Sequence, residues 1–319
     1  MMADEPKRRS LLRTVLVSLL QVVCVGYVGY ALYQDRHELT RALDLSASAI
    51  ALLVALMLLA HVQRTLEFTY MLRRLGVKEP FWDGFWLTAA GYLLNHLPFN
   101  AGFLMRAQLL KQDHSLPYTQ YVSLTMVNAL VNVGVGALFG IVAALRGMSG
   151  GGLQVLPLLG FSGIVGASLA LIWLPRSLVP KGSGFFARHL GKLVEGIALI
   201  RGNGLGIVLL AGLALTRIVG VAVRLWICFD ALGNHISALG AMLLGWATVL
   251  FTLVNVTPGN LGLRELALSL ASAELGSTQS VGMAAASMDR VVLLAVVVAT
   301  GLPGLYSLRH RGRAARGSA

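Results

Sequence analysis

Charged residues are scarce in this sequence. They make up 13% of its 319 residues, about half the share of a soluble domain. Cysteine is scarcer still: Cys24 and Cys228 lie in apolar stretches and form no C-x-x-C pair. That excludes a disulfide framework or a thiolate metal site and leaves two small packing residues. The seven histidines show no H-E-x-x-H or H-x-x-x-H spacing, and there is no Walker lysine motif. The glycine-rich run VGVGALFG (133–140) lies inside an apolar stretch and reads as helix packing. No polar segment is long enough to host an ATPase or transferase domain. The sequence therefore predicts no enzyme, no cofactor, no metal and no nucleic-acid partner.

What it has is hydrocarbon. The chain is 56% hydrophobic, with apolar stretches near bilayer length, which predicts a polytopic all-α membrane protein. Full spans are expected at 11–33, 46–70, 119–145, 153–174, 204–229 and 279–307. The first follows "KRRS" but is too long for a signal-peptide core and reads as an uncleaved span. Two further apolar segments, about 84–111 and 237–275, are interrupted at Pro98 and Pro258.

The formal net charge is +12, and the basic residues gather at span ends. Lys7, Arg8, Arg9; Arg73, Arg74, Lys78; the 176–201 segment; and Arg309, Arg311, Arg313 all fall together on the cytoplasmic side only if the two interrupted segments do not cross. The expected fold is about six full transmembrane helices plus two re-entrant helical hairpins. It forms one integral membrane domain over 1–319 of the inner (cytoplasmic) membrane, with both termini cytoplasmic. Segment 176–203 is expected to be a basic amphipathic linker on the inner surface.

An internal repeat supports this reading. A gapless shift of 160 residues lays Arg64 on Arg224, Trp86 on Trp246, Thr88 on Thr248, Asn95 on Asn255, Pro98 on Pro258, Asn100 on Asn260 and Gly102 on Gly262. Matches of Leu, Val and Ala are cheap in this composition; these are not. The halves run about 11–145 and 171–305. With the charge-derived topology, the Arg64 and Arg224 helices point in opposite directions, which is an inverted repeat. Two proline-interrupted segments in corresponding positions of such a repeat mark a midplane site.

Broken backbone at membrane depth is tolerated only inside protein or along a wet cavity. Thr257 before Pro258 suits an N-cap and first helical position, and the following helix, from about 259 to 274, would aim its positive end at the membrane interior, where an anion is favoured. Pro98 to Lys111 would repeat this from the other side. Gly102, Gly259 and Gly262 would admit close approach, and Asn95, Asn100, Asn255 and Asn260 would line the turns. Arg106, Arg217, Arg224, Arg264 and Arg290 are the candidate headgroup cations, with Arg64 beside them; central placement of Arg217 costs at least about 2.5 kcal/mol on insertion scales. Glu265 and Asp289 are expected to pair across helices as scaffold, and Arg64 with Glu67, three residues apart, as a local ion pair. Ordinary kinks with packing glycines are the competing reading, which the duplication disfavours.

With these residues in view, the chain resembles the lysylphosphatidylglycerol synthase membrane-region family, the flippase-like domain. The resemblance rests on Arg64; on Asn95, Pro98, Gly102 and Arg106; on Pro258, Gly259, Gly262, Arg264 and Glu265; and on Arg290. Relatives often carry a glycine pair and an acid where this chain reads FNAGFLMR, and a glycine where it has Asn260. The resemblance implies movement of a lipid between leaflets, with phospholipid or polyprenyl-phosphate lipids as partners. Two other readings remain: a non-transporting scaffold or accessory subunit of a lipid or glycan biosynthetic enzyme, and an embedded transferase using Glu265, Asp289 or Glu67. A homo-oligomer or a biosynthetic partner is compatible with either membrane role. The lipid, direction and coupling ion are not written in the sequence.

Overall fold

A computed structural model describes residues 45–97, 100–149, 155–173, 204–253, 260 and 263–317, with isolated positions 191, 194, 197 and 198. The expected span 11–33, most of the 176–203 linker, and Pro98, Asn255, Thr257, Pro258, Gly259 and Gly262 lie outside the described residues.

Among the described residues the protein is all helix. The order is α1 (Ala47–Arg74), α2 (Phe81–Leu94), α3 (Ala101–His114), α4 (Tyr118–Ser149), α5 (Val155–Trp173), α6 (Leu205–Ala231), α7 (Ala238–Leu253), α8 (Leu263–Glu274) and α9 (Gln279–Gly317). Five of these, α1, α4, α5, α6 and α9, are long and apolar enough to cross a bilayer. The protein is a multi-pass membrane protein. Its outer surface carries exposed Leu52, Leu59, Leu156, Leu159, Leu205 and Val208, a face that is stable only against lipid.

The other four helices are short. At 12 to 16 residues they reach about 18 to 24 Å, less than the roughly 30 Å hydrocarbon core. Each interrupted segment thus resolves into two helical arms. In the first, the Asn95 side chain accepts a hydrogen bond from the Phe103 N–H at 3.0 Å, so the turn residue caps the returning helix. In the second, the Asn260 side chain donates to the Phe251 carbonyl. Asn100 and Asn260 share the left-handed conformation, with φ of 52° and 54°. Asparagine enters that region more readily than any other side-chain-bearing residue except aspartate.

Shifted by 160 residues, α1 to α4 start within three residues of α6 to α9 respectively. The related helices α1 and α6 run antiparallel. Leu53 and Met57 in the first half of α1 pack with Leu225 and Phe229 late in α6, while Phe68 and Leu72 late in α1 pack with Leu210 and Ala214 early in α6. Both helices stop at a left-handed glycine, Gly76 and Gly233. The N–H groups of Val77 and Asn234 then reach back to the Leu72 and Phe229 carbonyls at 3.0 Å each, which closes the helix ends. α2 packs on α9 and α7 packs on α4, so the first arm of each hairpin lies against the last long helix of the other half.

Glycines make those close approaches possible. A Cβ on Gly102 would collide with the Gly91 backbone carbonyl, which cannot rotate away. Gly102→Ala is therefore expected to lower stability by about 1–3 kcal/mol, while Gly160→Ala on α5, where nothing lies within 4 Å, is neutral or slightly stabilising. Paired thermal-unfolding curves in detergent check both.

Candidate functional site

Five arginines from four helices come together at one cavity. A cavity of about 60 Å³ is lined by Arg64 (α1), Tyr92 (α2), His96, Arg217 and Arg224 (α6), Thr248 and Thr252 (α7), Asn260, Arg264 (α8) and Arg290 (α9), with apolar Val221, Val249, Phe251 and Leu293. With one water needing about 10–15 Å³, it has room for several waters or one phosphate-sized group.

The frame around it is ionic. Asp289, fully buried, receives Arg224 Nε at 2.8 Å and Arg264 Nη2 at 2.5 Å. The neighbouring Arg290 Nε lies 2.8 Å from Glu265, and its Nη2 donates to the Asn260 carbonyl at 3.0 Å. The dipeptides Arg264–Glu265 and Asp289–Arg290 thus cross-pair between α8 and α9, fixing the register of these two helices. Their expected cross-helix pairing is what the structure holds. Burying such groups is costly, and only near-complete pairing and hydrogen bonding offsets the lost hydration.

Arg217 is held from a third side. Its Nη1 lies 3.6 Å from Glu67, its Nε donates to Asn132 Oδ1 at 3.1 Å, and its Nη2 donates to Asn128 Oδ1 at 3.2 Å. This corrects the local Arg64–Glu67 pair expected from their spacing: Glu67 reaches across to α6 instead. Arg64 turns the other way, its guanidinium 4.1 Å from the centroid of the Tyr92 ring. That is a cation–π arrangement.

The other expected site residues are placed as follows. Arg106 is half-buried, lies 5.8 Å from the Phe68 ring centroid and donates to the Gly102 carbonyl at 3.3 Å; it does not line the cavity. Asn95 caps α3, so the first hairpin's returning helix does not present all its N–H groups to a ligand, as its sequence suggested. It also starts at Ala101 rather than at the proline. Gly102 packs on Gly91, and Asn100 is exposed. The second returning helix is described from Leu263, and its expected start at 259 lies outside the described residues.

Four contributors carried no sequence signal strong enough to stand out. Tyr92 and His96 are aromatics in an apolar helix and its turn. Asn128 and Asn132 are spaced four apart inside an apolar span, and that spacing could have marked them as one polar face. His96 Nδ1 lies 3.0 Å from the Tyr92 carbonyl; a carbonyl only accepts, so Nδ1 carries the proton.

No group of three or more His, Cys, Asp or Glu side chains able to hold a metal ion occurs among the described residues. The site is a cationic pocket built of guanidiniums, suited to holding an oxyanion through charge-assisted, forked hydrogen bonds.

The family model described as "Lysylphosphatidylglycerol synthase TM region" matches residues 10–301, and the chain belongs to that family. No curated protein and no solved structure matches it.

Removing the shared acid should be the most damaging single change at the site. Asp289→Asn leaves Arg224 and Arg264 facing each other without a counter-charge and is expected to cost about 3–5 kcal/mol. Arg64→Gln strands no acid and should shift stability by under about 1 kcal/mol. Melting temperatures of the two purified variants, side by side, test the ranking.

Proposed function

We propose that this member of the family is a flippase-like transporter that moves an anionic or lipid-linked headgroup between the leaflets of the cytoplasmic membrane. The observation that supports the reading best is the cavity itself: five arginines gathered at a cavity that residues of both short-helix hairpins line. Isolated guanidiniums are expelled from hydrocarbon, so a cluster retained there signals a pathway for a charged group. The headgroup would sit among the arginines while its chains remain in lipid beside the apolar outer faces of the helices.

The inverted relation of the two halves would let the same site open to either side in turn. In this reading both termini are cytoplasmic and no covalent chemistry occurs. Membrane lipids are the partners, and movement is downhill or coupled to an ion.

Purified protein in liposomes should translocate a fluorescent anionic lipid faster than empty liposomes do. Thr252 lines the cavity and is exposed, so Thr252→Trp adds bulk without changing charge. A drop of about tenfold in rate, a barrier change near 1.4 kcal/mol, is the expected result. Wild-type protein that moves no lipid under an imposed ion gradient would end the transport reading in favour of the scaffold.

A further inference from the structure

The charges around the cavity do not balance. Glu67 answers Arg217, and Glu265 answers Arg290. Asp289 serves both Arg224 and Arg264, leaving one positive charge over. Arg64 has only Tyr92, over whose ring it lies and with which it shares a side-chain hydrogen bond, and it makes no ion pair with a carboxylate among the described residues. Two positive charges remain uncompensated at one cavity. The sequence offers no other acid at this depth: 11–33, 118–149, 155–173 and 238–262 contain neither Asp nor Glu.

Two further observations place that surplus at the cavity wall. Arg264 is 5% exposed, and its Nε has no hydrogen-bond partner among the described residues. Arg64 is set by its stacking on Tyr92 rather than by an acid, so its remaining donors are uncommitted to a counter-charge. The repeat shows how the imbalance arises. Arg64 and Arg224 occupy the same register, but the position corresponding to Asp289 is Ala129. One arginine of the duplicated pair is clamped and the other is not.

We infer that the cavity takes a dianionic phosphate group, the head of a phosphomonoester or the terminal phosphate of a diphosphate, in preference to a singly charged phosphodiester, and that Arg64 is the specificity-determining contact. The inference rests on the transport reading for the lipid nature of the ligand, and on the charge imbalance for its valence. A phosphomonoester carries about −1.5 to −2 at neutral pH and can neutralise both surplus guanidiniums. A diester carries one negative charge and leaves one guanidinium buried without a counter-charge, in surroundings where the shortfall is barely screened. Planar guanidiniums also match phosphate oxygens in a forked arrangement that an ammonium cannot.

The test is equilibrium competition on the full chain in detergent, against labelled dodecyl phosphate. The competitors are unlabelled dodecyl phosphate, dodecyl methyl phosphate (the same chain as a diester) and inorganic phosphate. Dodecyl phosphate should compete about tenfold or more better than the methyl diester, the scale of one charge-assisted pair. In Arg64→Gln the ratio should fall towards one while the melting temperature holds. In Arg64→Lys, which keeps the charge and loses the fork, it should be intermediate. Equal or tighter binding of the diester by wild-type protein overturns the inference, as does failure of every phosphate to bind. An unchanged ratio in a folded Arg64→Gln overturns the role of Arg64.

Inorganic phosphate competing as well as dodecyl phosphate supports the dianion site and makes the ligand a free anion, which sinks the lipid reading alone. Selective binding of the monoester without its translocation in liposomes has the same separating effect: the valence holds and transport falls.

Discussion

Everything at the centre of this protein hangs on one carboxylate serving two arginines. Asp289 is fully buried and binds Arg224 of α6 and Arg264 of α8 from its place on α9. Three helices, α6, α8 and α9, are joined at a single point in a medium where an unpaired charge is very costly. The adjacent Arg290 turns to Glu265 and to the Asn260 carbonyl, so the hairpin tip is fixed as well. Because the Arg–Glu and Asp–Arg dipeptides cross-pair, sliding α8 along α9 by one residue would break both bridges together. The second hairpin is therefore located by charge, to the residue.

The first hairpin is located by other means. In the 160-residue register, Leu104 and Met105 stand where the second half has Arg264 and Glu265, and Ala129 and Leu130 where it has Asp289 and Arg290. No ionic lattice can form there. Instead Gly102 packs on the Gly91 carbonyl, Asn95 caps the returning helix, and Glu79 and His114 meet at 2.6 Å across the open end. The two halves share helix starting positions, the antiparallel relation of α1 and α6, and the left-handed asparagine, yet they use different chemistry to hold their hairpins. The first half has Arg64 in the register of Arg224, but Ala129 in the register of the Asp289 that neutralises Arg224.

Much of this was legible in the sequence because polar residues and breakers stand out against hydrocarbon. The five long spans among the described residues, the two interrupted segments, the 160-residue repeat and the arginines that line the cavity all follow from that contrast. Asn260 adopts the left-handed conformation, which asparagine enters more readily than most residues that carry a side chain. Partner choice was less legible. Spacing proposed Arg64 with Glu67, but side chains on neighbouring turns of a helix need not meet when a better partner faces them, and Arg217 does. Tyr92 and His96 escaped notice because an aromatic in an apolar helix looks like packing until something charged is found lying on it.

The run VGVGALFG shows the same dependence on surroundings from the opposite direction. Its glycine density suits a phosphate-binding loop, yet it lies in the middle of α4. There Gly136 sits beneath the Trp246 indole, Gly140 beneath the Phe161 ring and Gly134 beside Ser168, each where a Cβ would collide or crowd. These glycines lower the wall of α4 so that α5 and α7 can come close. On the other side Gly301 and Gly304 do the same on α9 beneath Leu93 and the Trp86 carbonyl. The first arm of each hairpin can thus sink into the bundle, where its short helix is covered by protein rather than lipid. That depth brings Tyr92 on α2 and Thr248 on α7 to the cavity wall. Glycine packing and the arginine lattice are therefore two parts of one arrangement: the first lets the hairpins in, and the second gives them something to surround.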